Sequence, residues 1–267
     1  MEVDKHILTE ALSAILGVTV KLQSDCKNLD GAIKLQIAEL TTLALLKNEP
    51  VTCLTSSLSR MFLDDKKKSQ ETLRSESSSL RKELFVISDY FFDPKFDFDF
   101  TNMSKPNYEA CMRGGEPYKR PYGWMRFALK VRNKYPDGNA WLGTDGWRCR
   151  SAPGEWPVSY HGTDLQGAAG IIESQYMSGD RQVYGRGIYS SPDIIIADIF
   201  AKTKNFISQK NGNTYKVIMQ NRINPQIREE KTKDIWLVPI PEGTSVEEEK
   251  KIVESAIRPY GLLLKKM

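Results

Sequence analysis

The stretch GEWPVSYHGTDLQGAAGIIESQYMSGDRQVYGRGIYSSPDIIIADIFAK, residues 154–202, contains two short apolar segments that each end in polar residues. The first segment, Trp156–Tyr160, runs directly into the polar trio His161–Thr163. The second is GRGIYSSP at 185–192, and an apolar helix is predicted after it over Ile194–Phe200. A strand that ends in polar side chains is a common way to build a site. Both segments are therefore predicted to be strands whose ends contribute to one site.

These segments resemble the catalytic core of the diphtheria-toxin-like (H-Y-E type) ADP-ribosyltransferases, the group that contains the poly(ADP-ribose) polymerases. In that family a histidine at a strand end, followed by Gly-Thr or Gly-Ser, precedes a Gly-x-Gly-Ile-Tyr strand by about this distance. Here the two motifs are HGT at 161–163 and GRGIY at 185–189. Either motif alone is a weak signal, whereas the pair in this order and spacing is specific.

The pattern of the remaining chain predicts an α+β protein. Strand candidates at Tyr215–Ile223, Asp234–Ile240 and Ile257–Leu264 follow the second motif, and the charged run Val246–Glu254 is a helix candidate. Strands interleaved with a few helices, without regular βα alternation, favour antiparallel sheets. The resemblance implies a more specific architecture, the split antiparallel β-sheet ADP-ribosyltransferase fold, preceded by an α-helical N-terminal region.

Two domains are predicted, a helical N-terminal module over 1–88 and an ADP-ribosyltransferase-like catalytic domain over 89–267. The module has an apolar stripe within 7–16, a second within 33–44, and a charged, Ser-rich linker at 69–83. Helical spacing of apolar residues is typical of helices that bury one face. A helical bundle or a module that binds a protein partner is the interpretation we favour for this part.

The composition is that of an ordinary intracellular protein. Of 267 residues 40% are hydrophobic and 27% charged, and the formal net charge of +4 is too mild to indicate a nucleic-acid partner. We expect no membrane association and a cytoplasmic or nuclear location, because no apolar run is long enough for a span and no signal peptide is recognisable. Scattered thiols without a C-x-x-C pair indicate reduced cysteines and neither a zinc site nor a disulfide framework. They are Cys26, Cys53, Cys111 and Cys149.

The resemblance implies a role for each motif residue in binding NAD. His161 would hydrogen-bond the adenosine ribose, Gly162 would offer backbone groups to the nicotinamide carboxamide, and Tyr189 and Phe200 would form opposite walls of the nicotinamide slot. The family's carboxamide-binding serine falls at Ala197, so Ser190 or Ser191 would have to replace it. The cofactor-binding set implied in this way is His161, Gly162, Thr163, Tyr189, Ser190, Phe200 and Arg186. Each of these residues also has a purely structural explanation. A strand-end histidine can hydrogen-bond backbone groups, aromatic residues can belong to the core, and Arg186 can be solvent-exposed.

The third element of the family pattern, a glutamate before an apolar strand, is replaced here. The matching stretch is TKDIWLV at 232–238, so the acid falls on Asp234, with Glu229 and Glu230 as nearby alternatives. A displacement of about 1 Å in a catalytic group can cost on the order of 10²-fold in rate. The expected catalytic set is thus His161, Tyr189 and Asp234, although Asp234 can equally be a surface turn residue.

The expected function is NAD-dependent ADP-ribosyl transfer, with NAD as co-substrate and no metal. Chain elongation in the family is tied to glutamate, so aspartate favours transfer of a single ADP-ribose to an acceptor, most simply a protein. Two alternatives remain at this point: a catalytically weak or inactive module that binds NAD or ADP-ribose, and an NAD glycohydrolase.

Overall fold

The structure is a computed structural model, and it describes residues 4–27, 32–40, 84–103, 111–146, 148–162, 184–200 and 205–267. Within these ranges the protein is a mixed α+β protein with mostly antiparallel sheets and few helices, as the sequence pattern predicts. No helix among the described residues is both long enough and apolar enough to cross a membrane.

The N-terminal part begins with helix α1, Lys5–Leu16. Its first turn is capped by the Asp4 carboxylate, which accepts from the His6 backbone N–H, and Gly17 ends it in the left-handed conformation with φ of 67°. The predicted apolar stripe is confirmed, since one face of the helix is buried. Its buried apolar residues are Ile7, Leu8, Ala11, Leu12, Ile15 and Leu16.

Beyond α1 the N-terminal part is less helical than predicted. Strands β1 (Thr19–Leu22), β2 (Ile33–Lys34) and β3 (Leu84–Ile87) form a parallel sheet in the order β1-β3-β2. The second predicted stripe therefore starts in a strand and becomes helical only at 37–40. Leu43, Ala44, Cys53 and the Ser-rich stretch 69–83 lie outside the described residues.

The described residues from 89 onward supply eleven further strands and two helices. The strands are β4 (Phe98–Asp99), β5 (Met112–Arg113), β6 (Glu116–Pro117), β7 (Met125–Ala128), β8 (Val158–His161), β9 (Gly187–Ser190), β10 (Asn205–Ile207), β11 (Thr214–Ile223), β12 (Glu229–Thr232), β13 (Ile235–Pro239) and β14 (Ile257–Lys266). The helices are α2 (Ile194–Phe200) and α3 (Val246–Ala256). The predicted strands 215–223, 234–240 and 257–264 and the predicted helix 246–254 correspond to β11, β13, β14 and α3.

The largest sheet has six strands and is built around β11. Its path is β10-β11-β14-β7-β4, and β8 also pairs with β11. Along one edge β11 pairs with β14, while the other edge is shared by β10 at its start and β8 near its end. His161 of β8 is thus opposite Met219, in the middle of the best-protected strand of the sheet.

A second, three-stranded sheet has the order β12-β13-β9. It meets the larger sheet where Ser191, just after β9, forms an antiparallel bridge with Tyr160 of β8. The Tyr160 N–H donates to the Ser191 carbonyl at 2.7 Å, and the Ser191 N–H donates back at 2.9 Å. The ends of β8 and β9 are joined in this way, although the two strands belong to different sheets.

Helix α2 is only half buried, although the run of isoleucines makes it apolar on nearly all sides. Ile194 and Ala197 are buried, but Ile195 is 56% and Ile199 46% exposed. At the start of the helix the Asp193 carboxylate accepts from the Ile195 N–H at 2.9 Å, while Ser191 Oγ accepts from the Asp193 N–H. A helix at the sheet edge buries a single face, whatever the hydrophobicity of the other.

A single large hydrophobic cluster links the N-terminal elements to the six-stranded sheet. It contains Leu12 of α1, Phe85 of β3, Met219 of β11 and Leu262 of β14, all almost fully buried. Helix α1 packs against both β10 and β11. The described residues before and after position 88 therefore share one core, and the division into two domains stays a prediction.

Candidate functional site

The candidate site is built on the junction between β8 and β9. His161 is the last residue of β8 and is 2% exposed. Its Nδ1 lies 2.7 Å from the main-chain carbonyl oxygen of Tyr189. The structure therefore brings together the two motif residues that the sequence analysis places in one site.

This contact restricts the protonation of the imidazole. A carbonyl oxygen can only accept, so Nδ1 must carry the proton that is donated to Tyr189. In the neutral ring the other nitrogen, Nε2, is then a hydrogen-bond acceptor. A ring held in this way presents Nε2 in one orientation, which suits a group that positions a hydroxyl.

The hydroxyl of Tyr189 makes two hydrogen bonds to the backbone. The residue is fully buried, and its hydroxyl donates to the Gly185 carbonyl at 2.8 Å and accepts from the Tyr184 N–H at 3.1 Å. Burial raises the pKa of the Tyr189 phenol, an effect that the hydrogen bond from Tyr184 partly offsets. The phenol is therefore neutral at physiological pH.

Of the two serines that follow Tyr189, only one has an uncommitted hydroxyl. Ser191 Oγ accepts from the Asp193 N–H at 3.0 Å. Ser190 is fully buried, and its Oγ has no hydrogen-bond partner among the described residues. A buried hydroxyl without a partner costs about 1–3 kcal/mol, so it marks a position where a ligand group would be stabilised.

The other predicted cofactor-binding residues are described only in part. Gly162 follows β8 directly, Thr163 lies outside the described residues, and Phe200 is the last residue of α2, with nothing described of its side chain. Ala197 is fully buried in the same hydrophobic cluster as Tyr160 and Tyr189. The position of the family's serine therefore faces packed aromatic residues.

Arg186 is engaged away from the His161 ring. Its guanidinium donates to the Pro241 carbonyl at 3.0 Å and to Glu249 of α3 at 2.7 Å. The Glu249 side chain is 9% exposed. The structure thus ties the start of β9 to α3 through Arg186, and does not bring this arginine into contact with His161 or Tyr189.

Asp234 lies in the turn between β12 and β13 and is half buried. Its N–H donates to Thr232 Oγ1 at 3.2 Å, and its carboxylate forms no ion pair with a described residue. It is three residues before Leu237, which pairs with Tyr189. Since a strand rises about 3.3 Å per residue, Asp234 is displaced about 10 Å along the strand from that pair. No contact joins its carboxylate to His161 or Tyr189 in the described part of the chain.

The alternative acids lie on the neighbouring strand. Glu229 of β12 pairs with Leu237, so Glu229, Leu237 and Tyr189 form one row across the three-stranded sheet. Its carboxylate contacts Lys231 at 2.5 Å. Glu230 contacts Arg228 at 2.7 Å.

Two buried polar residues beside His161 are not among the predicted site residues. Ser159 shares a face of β8 with His161 and pairs with Asn221 of β11. Both are fully buried, and Ser159 Oγ and Asn221 Oδ1 have no hydrogen-bond partner among the described residues. The available signal was the polar triplet QNR at 220–222 inside an otherwise apolar strand.

No group of three or more His, Cys, Asp or Glu side chains suited to a metal ion occurs among the described residues. Comparison with models of known protein families finds no match to this chain. A search of curated proteins likewise finds no significantly similar sequence.

Proposed function

We propose that this chain is an NAD-dependent ADP-ribosyltransferase that cleaves the nicotinamide–ribose bond and transfers a single ADP-ribose to a protein acceptor. The observation that carries the proposal is the 2.7 Å contact between His161 Nδ1 and the Tyr189 carbonyl. It joins His161 of the first motif to Tyr189 of the second, with β8 and β9 in the antiparallel sheets of an α+β protein. The split-sheet ADP-ribosyltransferase fold is part of the same proposal.

The chemistry requires binding and charge placement more than proton transfer. Cleavage of a glycosidic bond passes through an oxocarbenium-like transition state, and fixed geometry lowers its barrier. His161, with Nδ1 occupied, accepts a ribose hydroxyl at Nε2. Tyr189 supplies one wall of the nicotinamide slot, and Ser190 Oγ donates to the carboxamide in place of the serine absent at Ala197.

The acid that stabilises the developing cation is Asp234 in this proposal. Its carboxylate has no ion-pair partner among the described residues, so its charge is available. The aspartate favours transfer of one unit over chain growth. Replacing Asp234 by Glu tests this assignment, because a longer side chain restores the family's residue at the same backbone position.

The experiment is incubation with labelled NAD, scored separately for nicotinamide release and for label bound to protein. Wild type should give both products, and His161→Asn should give neither. The chain contains only two histidines, so His6→Asn is a matched control. His6 is a surface residue in contact with Asp4 and Asp25, and its loss should leave both products unchanged. If wild type binds NAD but gives neither product, the proposal that this chain is an enzyme is contradicted.

A second candidate function is an NAD-binding module without turnover. The observation that favours it is the absence of a contact between Asp234 and the His161–Tyr189 pair in the described residues. Calorimetric binding of NAD by wild type, with product appearing only in Asp234→Glu, would support this function. Nicotinamide release without labelled protein would instead indicate an NAD glycohydrolase.

A further inference from the structure

A concave region lies apart from His161 and Tyr189, between β5, β7, β11 and β14. It comprises a cavity of about 180 Å³ and an adjoining one of about 140 Å³. Neither His161 nor Tyr189 lines either cavity. The two cavities share the lining residues Arg113, Arg126, Gly146, Arg222 and Tyr260.

Positive charge dominates this region, which we call the arginine pocket. Arg132 and Arg148 also line the larger cavity, as do two carboxylates, Asp93 and Asp145. One of these, Asp145, is paired with Arg132. The larger cavity therefore has five arginines against two acids on its wall.

One buried carboxylate, which does not itself line the cavities, forms ion pairs with three of the arginines. Glu155 is fully buried, and it contacts Arg148, Arg222 at 2.9 Å and Arg113 at 3.7 Å. A single negative charge cannot balance three guanidinium groups. Burial, together with the charge of neighbouring Arg148, lowers the pKa of Arg113, as expected for a guanidinium in crowded positive surroundings.

Two guanidinium N–H groups in the arginine pocket have no acceptor among the described residues. The Arg222 side chain is 7% exposed, and its terminal nitrogens donate to Glu155, Trp156 and Leu142. Its Nε has no hydrogen-bond partner among the described residues, and the same holds for Arg126 Nε. A buried N–H of a charged group without an acceptor is costly, so an anion at this point would be stabilised.

Aromatic rings fix the two arginines in place. The guanidinium carbons of Arg222 and Arg126 lie 5.1 Å and 5.8 Å from the centroid of the Tyr260 ring. Arg126 is also 5.8 Å from the ring of Phe100. Rings at these distances hold a guanidinium by cation–π attraction. The donors are therefore positioned before any ligand arrives, which lowers the entropy cost of binding.

We propose that the arginine pocket binds a tetrahedral oxyanion, namely the phosphoryl group of inorganic phosphate or of a small phosphate monoester. Arginine forks match phosphate oxygens in geometry and charge. Pockets for whole drug-sized ligands measure about 300–1,000 Å³, so a cavity of about 180 Å³ suits a single phosphoryl group and not a nucleotide. This binding function is independent of the proposed transferase activity.

The first test is calorimetric titration with inorganic phosphate and, in a parallel arm, with glycerol 3-phosphate, against sodium chloride at equal ionic strength. Arg126→Lys keeps the charge but removes Nε and the fork, and it should weaken phosphate binding at least tenfold. Arg150→Lys is the matched control, since Arg150 is exposed and does not line the cavities, and its binding should equal wild type. Equal binding by both variants, or no heat beyond the chloride control, would overturn the proposal. Binding in only one arm identifies which source of phosphate the pocket accepts.

The second test uses wild type alone and so does not depend on how a variant folds. In ¹H–¹⁵N spectra of the arginine side chains, phosphate should shift the Nε–Hε signals of Arg126 and Arg222 and leave that of Arg150 in place. Uniform small shifts of every arginine would show nonspecific screening and contradict a site. Nicotinamide release by Arg126→Lys should equal wild type, which separates this site from the His161 site.

Discussion

His161 and Tyr189 are 28 residues apart in sequence, yet the Nδ1 of the first lies 2.7 Å from the carbonyl oxygen of the second. The contact joins the last residue of β8 to the middle of β9, which belong to different sheets. One imidazole thus connects the two sheets and also presents its second nitrogen.

Replacing His161 by Asn and by Ala should separate fold from function. The Asn side-chain amide can donate to the Tyr189 carbonyl in place of Nδ1, but nothing replaces Nε2. We expect Asn to cost under about 1 kcal/mol of unfolding free energy and Ala about 2–3 kcal/mol, from the lost hydrogen bond and the space left behind. Urea unfolding measures the stability, and nicotinamide release should be lost in both variants. Activity retained in Asn would show that Nε2 has no part in the reaction.

Tyr189→Phe should loosen the segment before β9. The change removes a buried hydroxyl that donates to the Gly185 carbonyl and accepts from the Tyr184 N–H. Leaving those two backbone groups unpaired should cost about 1–3 kcal/mol. Hydrogen exchange followed by mass spectrometry should show faster exchange at 184–186, with α1 as the unchanged internal reference. Unaltered exchange there would mean that other groups hold this segment.

Gly187→Ala should disrupt the pairing of β9 with β13. A Cβ at Gly187 would lie 2.1 Å from the Val238 carbonyl oxygen, and its φ of 155° is unfavourable for other residues. We expect a loss of about 3 kcal/mol or more, or insoluble protein. Gly185→Ala is the control, because nothing lies within 4 Å of its added Cβ and only the strain of φ 97° remains. A thermal melt of both variants should rank Gly187→Ala well below Gly185→Ala, and the reverse order would contradict the packing.

Glu155→Gln should destabilise the protein in a pH-dependent way. Burial alone raises the pKa of Glu155, but hydrogen bonds from Arg148 and Ala152 and the charge of Arg222 outweigh it, so the pKa lies below its usual value. A lowered folded-state pKa means stability that is present above about pH 4.3, the ordinary value for glutamate, and is lost as the pH falls through the folded-state pKa. The variant should lose about 3–5 kcal/mol at pH 7. Its deficit in urea unfolding should shrink as the pH is lowered below 4, whereas a constant deficit would show that the charge of Glu155 is unimportant.

Cys111→Ala should make Cys149 more reactive. The two sulfurs lie 3.4 Å apart, and the hydrogen bond between them raises the pKa of the exposed Cys149 thiol. Removing Cys111 lowers that pKa, and because the thiolate is the nucleophile, alkylation at a fixed pH of about 8 should become faster. Cys26 is the internal reference for the iodoacetamide reaction, read by peptide mass spectrometry. An unchanged rate at Cys149 would mean that the thiol pair does not exist in solution.

Much of the larger sheet follows from local pattern. The apolar runs of β11 and β14 are long, and long strands with β-branched and aromatic residues are the easiest to recognise. The meeting of His161 with Tyr189 followed from the two strand-end motifs. The position of Asp234 relative to Tyr189 did not follow from the sequence. The sequence places Asp234 just before β13, but it does not show which residue of β13 pairs with Tyr189.

Features that depend on distant partners were not predictable. Strand β2 has two residues and pairs with β3 about fifty positions later, so no local pattern identifies the parallel sheet. The arginine pocket gathers Arg113, Arg126 and Arg222 from separate strands, and Glu155 contacts Arg113 and Arg222. An arginine in a polar stretch of sequence gives no indication of which carboxylate it will meet. The hydrophobicity of α2 also suggests more burial than the structure shows, because hydrophobicity does not indicate which face of a helix the sheet covers.

The packing of α1 against β11 has a consequence for any shortened form of this protein. Since β11 also pairs with β8, only one strand separates the amphipathic helix from the imidazole. A fragment that starts at Asp89 would lose Leu12 and Phe85 from the shared core, and the apolar side chains that they cover would be exposed to solvent. Such a fragment should aggregate. In the full chain, a partner that binds α1 should also affect His161, because a single strand lies between them.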